Sequence, residues 1–271
     1  MSHLNPAAMG SSPTNTQSAR RVALITGSAA GLMRGVCVSL ARRGHDIACN
    51  YKPGRRDAAD TVLAVRAEGA AVEAFCADVA DATQAEDLVN QTTARFGRLD
   101  VLVCGAGPML VRDLYATTLE DFRAMIDGNL TSVYATARAA LPHMREQKFG
   151  RVIAFGMIGS ESTQGFRHLS AYAAAKAAVV ALIKSIALEE GPNGVTCNAI
   201  CIGDIRDKSA DRATARTRKE YRNPTTRPGS WEDIGDAVAY LASDDASFVN
   251  GATLTVGGGW QGFFADYARW H

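Results

Sequence analysis

Tyr172 and Lys176 stand four residues apart, with three alanines between them. On a helix, positions i and i+4 share a face, so a phenol and an ammonium can open into one cleft. A nearby cation favours phenolate, so Lys176 is expected to lower the Tyr172 pKa toward the working range. A phenol tuned in this way can hand a proton to a carbonyl oxygen as hydride reaches its carbon. The spacing alone is uninformative, because an exposed helix can carry the same pair idly. A second group lies some 145 residues upstream, where Thr26-Gly27-Ser28-Ala29-Ala30-Gly31 follows a short apolar run and opens a helix. Glycines let backbone approach a pyrophosphate, and a helix N-terminus offers N–H donors at its positive end.

These groups need a scaffold, and the rest of the chain reads as one. Apolar runs at 22–26, 46–51, 72–77, 99–104, 151–155, 195–200 and 253–256 read as strands. Between them, 32–43, 57–68, 82–96, 119–147, 170–191 and 231–242 read as helices. Gly128 and Asn129 are poor helix-interior residues, so a kink is expected there. Strands alternating with helices imply a doubly wound parallel sheet of about seven strands in an α/β fold, with helices on both faces. Residues 1–19 lack periodicity and read as a disordered arm, which leaves 20–271 as a single domain.

The joint order of these motifs resembles the short-chain dehydrogenase/reductase family over roughly residues 21–260, most nearly the 3-oxoacyl-carrier-protein reductases. The resemblance implies a Rossmann-like fold and a nicotinamide dinucleotide. It assigns Gly27, Ser28, Gly31 and Leu32 to the pyrophosphate turn, and Asp78 and Val79 to the adenine. It assigns Cys104, Gly105 and Ala106 to the strand end under the cofactor, and Gly203 and Ile205 to the carboxamide side. Asn129 would hold a water linking Lys176 to solvent, with Tyr172 and Lys176 completing the catalytic set. Asn50 ends the second strand without a charge, and Lys52, Arg55 and Arg56 follow it. An acidic residue there would repel a 2′-phosphate and arginine suits one, so NADP(H) is the expected cofactor.

Five positions depart from the family pattern. Met33 replaces the last glycine of T-G-x-x-x-G-x-G, and must be met by a shifted helix or a smaller neighbour. Cys104-Gly105 stands where the family reads Asn-Asn, and Ile202 stands for a proline. Met157 occupies the place of the catalytic serine, and a thioether is at best a weak acceptor. Ser160 and Ser162 follow in a slightly lengthened loop and are candidates to swing in. Met109 and Met157 are expected to floor an apolar, adaptable substrate pocket.

Composition excludes some alternatives. The 271 residues carry a net charge of +1, so there is no global basic field for nucleic acid or an anionic membrane. No run reads as a membrane span, and the N-terminus lacks the layout of a secretory signal. Six scattered cysteines form no C-x-x-C pair and have no histidine cluster beside them, which argues for core thiols in the cytoplasm and against a metal. Residues 203–229 carry eight Arg/Lys against four Asp/Glu, a lid that would suit an anionic substrate such as an acyl thioester on a carrier. Trp260, Phe263, Phe264, Tyr267 and Trp270 crowd residues 260–271, a tail expected to dock on its own subunit or across an oligomer interface, and the family resemblance implies a homotetramer or homodimer. Two readings remain open beside a ketone reductase. One is a non-catalytic cofactor-binding scaffold; the other is an enzyme for an unusual carbonyl or imine.

Overall fold

The computed structural model describes residues 20–218 and 223–259. The expected arm at 1–19 and aromatic tail at 260–271 lie outside these residues, as does the lid stretch 219–222. The chain alternates as expected, through β1 Arg21–Ile25, α1 Gly31–Arg42, β2 His45–Tyr51, α2 Ala59–Ala67, β3 Val72–Cys76, α3 Ala82–Phe96 and β4 Val101–Cys104. It continues through α4 Leu119–Ile126, α5 Ser132–Gln147, β5 Gly150–Met157, α6 Ser170–Glu190, β6 Val195–Ile202, α7 Arg212–Arg216, α8 Trp231–Ala242 and β7 Thr253–Val256.

Seven parallel strands lie in the order β3-β2-β1-β4-β5-β6-β7. The order reverses between β1 and β4, where an open α/β sheet leaves a crevice outside its strand ends. One apolar layer packs α1 and α8 on one face, and the other packs α3, α5 and α6 on the opposite face. The inner strands β1, β2, β4, β5 and β6 are buried on both faces, which is why they read as apolar runs rather than alternating ones, while the edge strands β3 and β7 are partly exposed.

Three local features depart from the sequence reading. The long helix expected over 119–147 is broken at the expected kink into two helices joined by a wide π turn, Asp127–Thr131, a form the sequence did not indicate. Gly128 explains its place, since a Cβ there would sit 2.4 Å from the Pro108 ring. β5 and β6 each run two residues further than expected, pairing Met157 with Ile202 at their shared end. The short helix α7 was not foreseen, although Asp211 caps it by accepting from the Thr214 N–H.

A fourth departure concerns membranes. The stretch Ser170–Asn193 is long and apolar enough to cross one by length and composition. In the fold it is a core helix: Val179, Val180, Ile183 and Ala187 bury against the sheet.

α1 is pinned from behind by α8. A Cβ on Gly35 would lie 2.6 Å from the Trp231 Cβ, and one on Gly235 would lie 2.0 Å from the Ser39 hydroxyl. The two helices therefore touch nearly backbone to backbone, which fixes where α1 begins. Gly35→Val is expected to lower unfolding stability by about 1–3 kcal/mol through overpacking, read as a lower denaturant midpoint at unchanged slope.

Candidate active site

The turn after β1 is held by its own polar groups. The Thr26 hydroxyl accepts from the backbone N–H of Gly105 (3.0 Å) and Ala106 (3.1 Å), tying the ends of β1 and β4 together. Gly27 has φ of +67°, and a Cβ on it would lie 2.8 Å from the Ala106 Cα. Only glycine meets both demands. Ser28 is fully buried, its hydroxyl donating to the Ile25 carbonyl at 2.9 Å. α1 then starts at Gly31 with no side-chain cap and no acidic residue in its first turn. Its leading N–H groups are thus left for an anion.

Asn50 behaves differently from expectation. Its side chain accepts from the Gly27 N–H (3.2 Å) and donates to the Ala77 carbonyl (3.0 Å). It is 2% exposed, so it braces the turn from beneath and offers no side-chain group to a ribose. Lys52 forms an ion pair with Asp78 at 2.6 Å. Arg55 is exposed and makes no side-chain hydrogen bond or ion pair among the described residues. Val79 and Cys104 turn their side chains into the core, the Cys104 thiol lying 3.5 Å from the Thr136 hydroxyl. Only their backbone faces outward.

Met33 is accommodated by a smaller neighbour. A Cβ on Gly105 would sit 2.1 Å from the Met33 Sδ and 2.4 Å from its Cγ. The thioether thus fills the space that a side chain on the strand end would take. Two departures that look independent in the sequence are one exchange of volume between α1 and the residue that follows β4.

Tyr172 and Lys176 sit on the first turns of α6 and face the same cleft. The Lys176 Nζ donates to the Phe155 carbonyl at 2.9 Å and lies 5.7 Å from the centre of the Tyr172 ring. Asn129 lies on the π turn, wholly buried, its amide donating to the carbonyls of Pro108 (2.9 Å) and Met125 (3.0 Å). Its Oδ1 has no hydrogen-bond partner among the described residues. A Cβ on Gly107 would stand 2.4 Å from that oxygen and 3.4 Å from the Lys176 Nζ. The glycine therefore keeps open a space shared by the two polar groups.

Burial pushes the Tyr172 phenol up to about 12. Burial also brings the Lys176 ammonium down to about 8, with Cys104 and Cys201 acting weakly the other way. The expected lowering of Tyr172 by Lys176 is therefore not found. The lysine is committed to the Phe155 carbonyl, and desolvation of the phenol outweighs a cation at that distance.

The cleft has a volume of about 680 Å³, within the size range of small-ligand sites. It brings together Gly27, Gly31, Leu32, Gly105, Met109, Met157, Tyr172, Lys176, Gly203 and Ile205 of the expected residues. Sequence reasoning assigned no such role to Ala30, Phe155, Asp204 or Lys208, which also line it. Nothing local marks them, because they reach the cleft only through sheet order. Met157 is 3% exposed at the end of β5, opposite Ile202. Neither candidate serine replaces it. The Ser160 hydroxyl accepts from the Met157 N–H at 3.1 Å, and the Ser162 hydroxyl donates to the Gly159 carbonyl at 3.3 Å. The lid is less cationic than its composition suggests. Arg206 pairs with Asp204, Arg212 with Asp233 and Asp236, and Arg227 with Asp233.

The buried lysine has a consequence for stability. Its folded value near 8 lies below its ordinary 10.5, so across that interval the unfolded chain holds more protons and stability rises with pH. Between pH 7 and 10.5 this adds at most roughly 3 kcal/mol. Lys176→Met is expected to remove that rise, as measured by urea unfolding at stepped pH.

Comparison with known proteins agrees with this architecture. A family model described as enoyl-(acyl carrier protein) reductase matches residues 27–261. The 3-oxoacyl-(acyl-carrier-protein) reductase FabG of Staphylococcus aureus is 34% identical over 242 residues, covering 88% of this chain and 96% of that protein. Hydroxynaphthalene reductase arp2 of Aspergillus fumigatus is 34% identical over 246 residues, covering 85% and 89%. Among solved structures, acetoin dehydrogenase from Enterobacter cloacae superposes with a TM-score of 0.79 at 31% identity, covering 91% and 96%. With a seven-stranded parallel sheet, a glycine turn at its crevice and Tyr172 and Lys176 facing that turn, the chain belongs to the short-chain dehydrogenase/reductase family of oxidoreductases.

Proposed function

We propose that this protein is an NADPH-dependent reductase of a ketone, with Tyr172 as the proton donor. The observation that carries the reading is the joint placement of Tyr172 and Lys176 across one cleft from the uncapped N-terminus of α1. A dinucleotide fits the residues present. Gly27, Gly31 and Leu32 would receive its pyrophosphate, Asp78 and the Val79 backbone its adenine, Cys104, Gly105 and Ala106 would lie beneath it, and Gly203 and Ile205 would meet its carboxamide. Lys52 and Arg55 would read a 2′-phosphate, with Lys52 leaving Asp78 to do so. When bound, the reduced nicotinamide supplies hydride to the carbonyl carbon.

The chain's own groups handle the proton. A phenol near 12 keeps its proton at neutral pH and is a stronger acid than the alcohol product, so it gives that proton to the alkoxide oxygen that forms on the substrate. Lys176, still largely protonated at pH 7, can restore it through the space beside Gly107, where the Asn129 Oδ1 can hold a water. This arrangement favours reduction over oxidation, because oxidation calls for a phenolate. Met109, Met157, Ile202 and Ile205 give the reacting end of the cleft an apolar wall. That wall suits the apolar body of a ketone or of an acyl thioester. FabG and hydroxynaphthalene reductase, by their names, act on oxoacyl and aromatic substrates.

A second reading, a non-catalytic cofactor-binding protein, is favoured by Met157, which leaves the substrate oxygen with Tyr172 as its donor among the groups lining the cleft. We place the protein in the cytoplasm, since five of its six cysteines are buried free thiols. We also infer a homodimer or homotetramer. Tyr134 on α5 and Leu188 on α6 stand 51% and 84% exposed beside a groove of about 750 Å³.

Titration with NADPH and NADH, followed by ketone screening, tests the reading. Micromolar binding that prefers NADPH is expected, with Tyr172→Phe cutting turnover at least 100-fold at unchanged cofactor affinity. A full-speed Tyr172→Phe enzyme would refute the proton-donor role, and a wild type that binds neither nucleotide would refute the reading itself. Met157→Ser, by restoring a second donor, should raise kcat/KM by roughly 10- to 100-fold.

A further inference from the structure

We propose that Lys208 is a second jaw of the cofactor site, closing its ammonium over the pyrophosphate from the side opposite α1. The inference rests on the dinucleotide reading above and adds a residue that neither the glycine turn nor the family pattern supplies.

Lys208 lies in the segment after β6, far from the turn in sequence. Its stem nevertheless passes over Gly31, with Cβ and Cδ at 3.4 and 3.9 Å from the position a Cβ on Gly31 would take. Both residues line the cleft. A side chain on residue 31 would therefore lie in van der Waals contact with this stem, which passes the turn where α1 leaves its first N–H groups uncapped. The segment is firmly placed. The Asp207 carboxylate accepts from the Ser209 N–H (2.9 Å) and hydroxyl (2.6 Å), and the Ala210 N–H closes the turn on the Asp207 carbonyl. Ala210 in turn accepts from the Trp231 N–H at the start of α8, the helix that pins α1. Lys208 and the α1 N-terminus are thus mounted on one rigid frame.

Charge isolates the lysine for this task. Its neighbour Arg206 is drawn to Asp204 at 2.8 Å, and Arg212, Arg218 and Arg227 all have carboxylate partners. Lys208 makes no ion pair among the described residues and is exposed. An acidic residue in the first turn of α1 would have claimed it, and none is there. A cation and a helix N-terminus on opposite sides of one gap both favour an anion between them, and each strengthens the other's hold on it. A pyrophosphate is common to NADPH and NADH, so this contact contributes affinity without choosing between them. That choice belongs to Lys52 and Arg55, at the other end of the dinucleotide.

The test is a fluorescence titration of full-length Lys208→Met with NADPH and NADH, with ADP-ribose as a competitor that carries the pyrophosphate without nicotinamide. Affinity for all three is expected to fall about tenfold, with a flatter dependence on salt than in the wild type. Lys208→Arg should retain most of the affinity. Arg216→Met, which removes an exposed cation of the same segment outside the cleft, should leave it unchanged. Circular dichroism and the thermal midpoint should match the wild type, because Lys208 is exposed. Unchanged affinity of Lys208→Met in a protein whose wild type binds NADPH would overturn this inference alone. A loss confined to NADPH would also overturn it, by moving the lysine to the 2′-phosphate. A wild type that binds none of the three would instead remove the dinucleotide reading on which it stands.

Discussion

The ammonium of Lys176 is buried against the sheet, and much of the cleft is arranged so that it can be. A charged amine out of water is costly unless its donors are met, and here the Phe155 carbonyl near the end of β5 meets one of them. That carbonyl lies past the last β4 partner of β5, Cys104 opposite Ala154, and α6 crosses the strand end at a height that brings Lys176 level with it. The π turn beneath α5 sets a bare amide oxygen of Asn129 nearby, and Gly107 keeps the gap between them open. A glycine, a kinked helix and a strand terminus thus converge on one buried cation. The same burial that makes it readily deprotonated holds the neighbouring phenol protonated.

The methionines have two distinct parts in this arrangement. Met33 exchanges volume with Gly105, so the departure from a glycine on α1 is absorbed by the lack of a side chain just after β4. Met157 is compensated by no polar neighbour. The nearby Ser160 hydroxyl is spent on the Met157 backbone, which shapes the loop and adds nothing to the cleft. The reacting end therefore depends on a single phenol where the family pattern has two hydroxyls.

Electrostatics around the cleft is local. Among the described residues of a lid that is basic by composition, Arg206, Arg212, Arg218 and Arg227 are paired with carboxylates, through Asp204, Asp207, Asp233 and Asp236. Asp233 is held well below the ordinary carboxylate range by Arg227 and the Ser230 donors, against the opposing effect of burial. Counting charges along the segment overstates its field. What counts is which cations remain unclaimed and what they lie against.

The sequence by itself determined the alternation of strands and helices, the glycine turn and the Tyr172–Lys176 pair. Each of these is written in nearest-neighbour chemistry: apolar runs, positive-φ glycines and the i, i+4 spacing of a helix. It also marked the break near Gly128, because glycine and asparagine are poor helix formers. Tertiary structure alone decided how those pieces act on one another. Asn50, which looks like a ribose-facing residue at a strand end, is turned under Gly27, where the Ala77 carbonyl just after β3 accepts from its amide. Met33 and Gly105, distant in the chain, become complementary only when β4 lies beside β1. The Tyr172 pKa reversed its expected direction, since proximity in sequence reports a neighbouring charge but not the desolvation that outweighs it. Burial is a property of the whole packed chain, and no local run of residues encodes it.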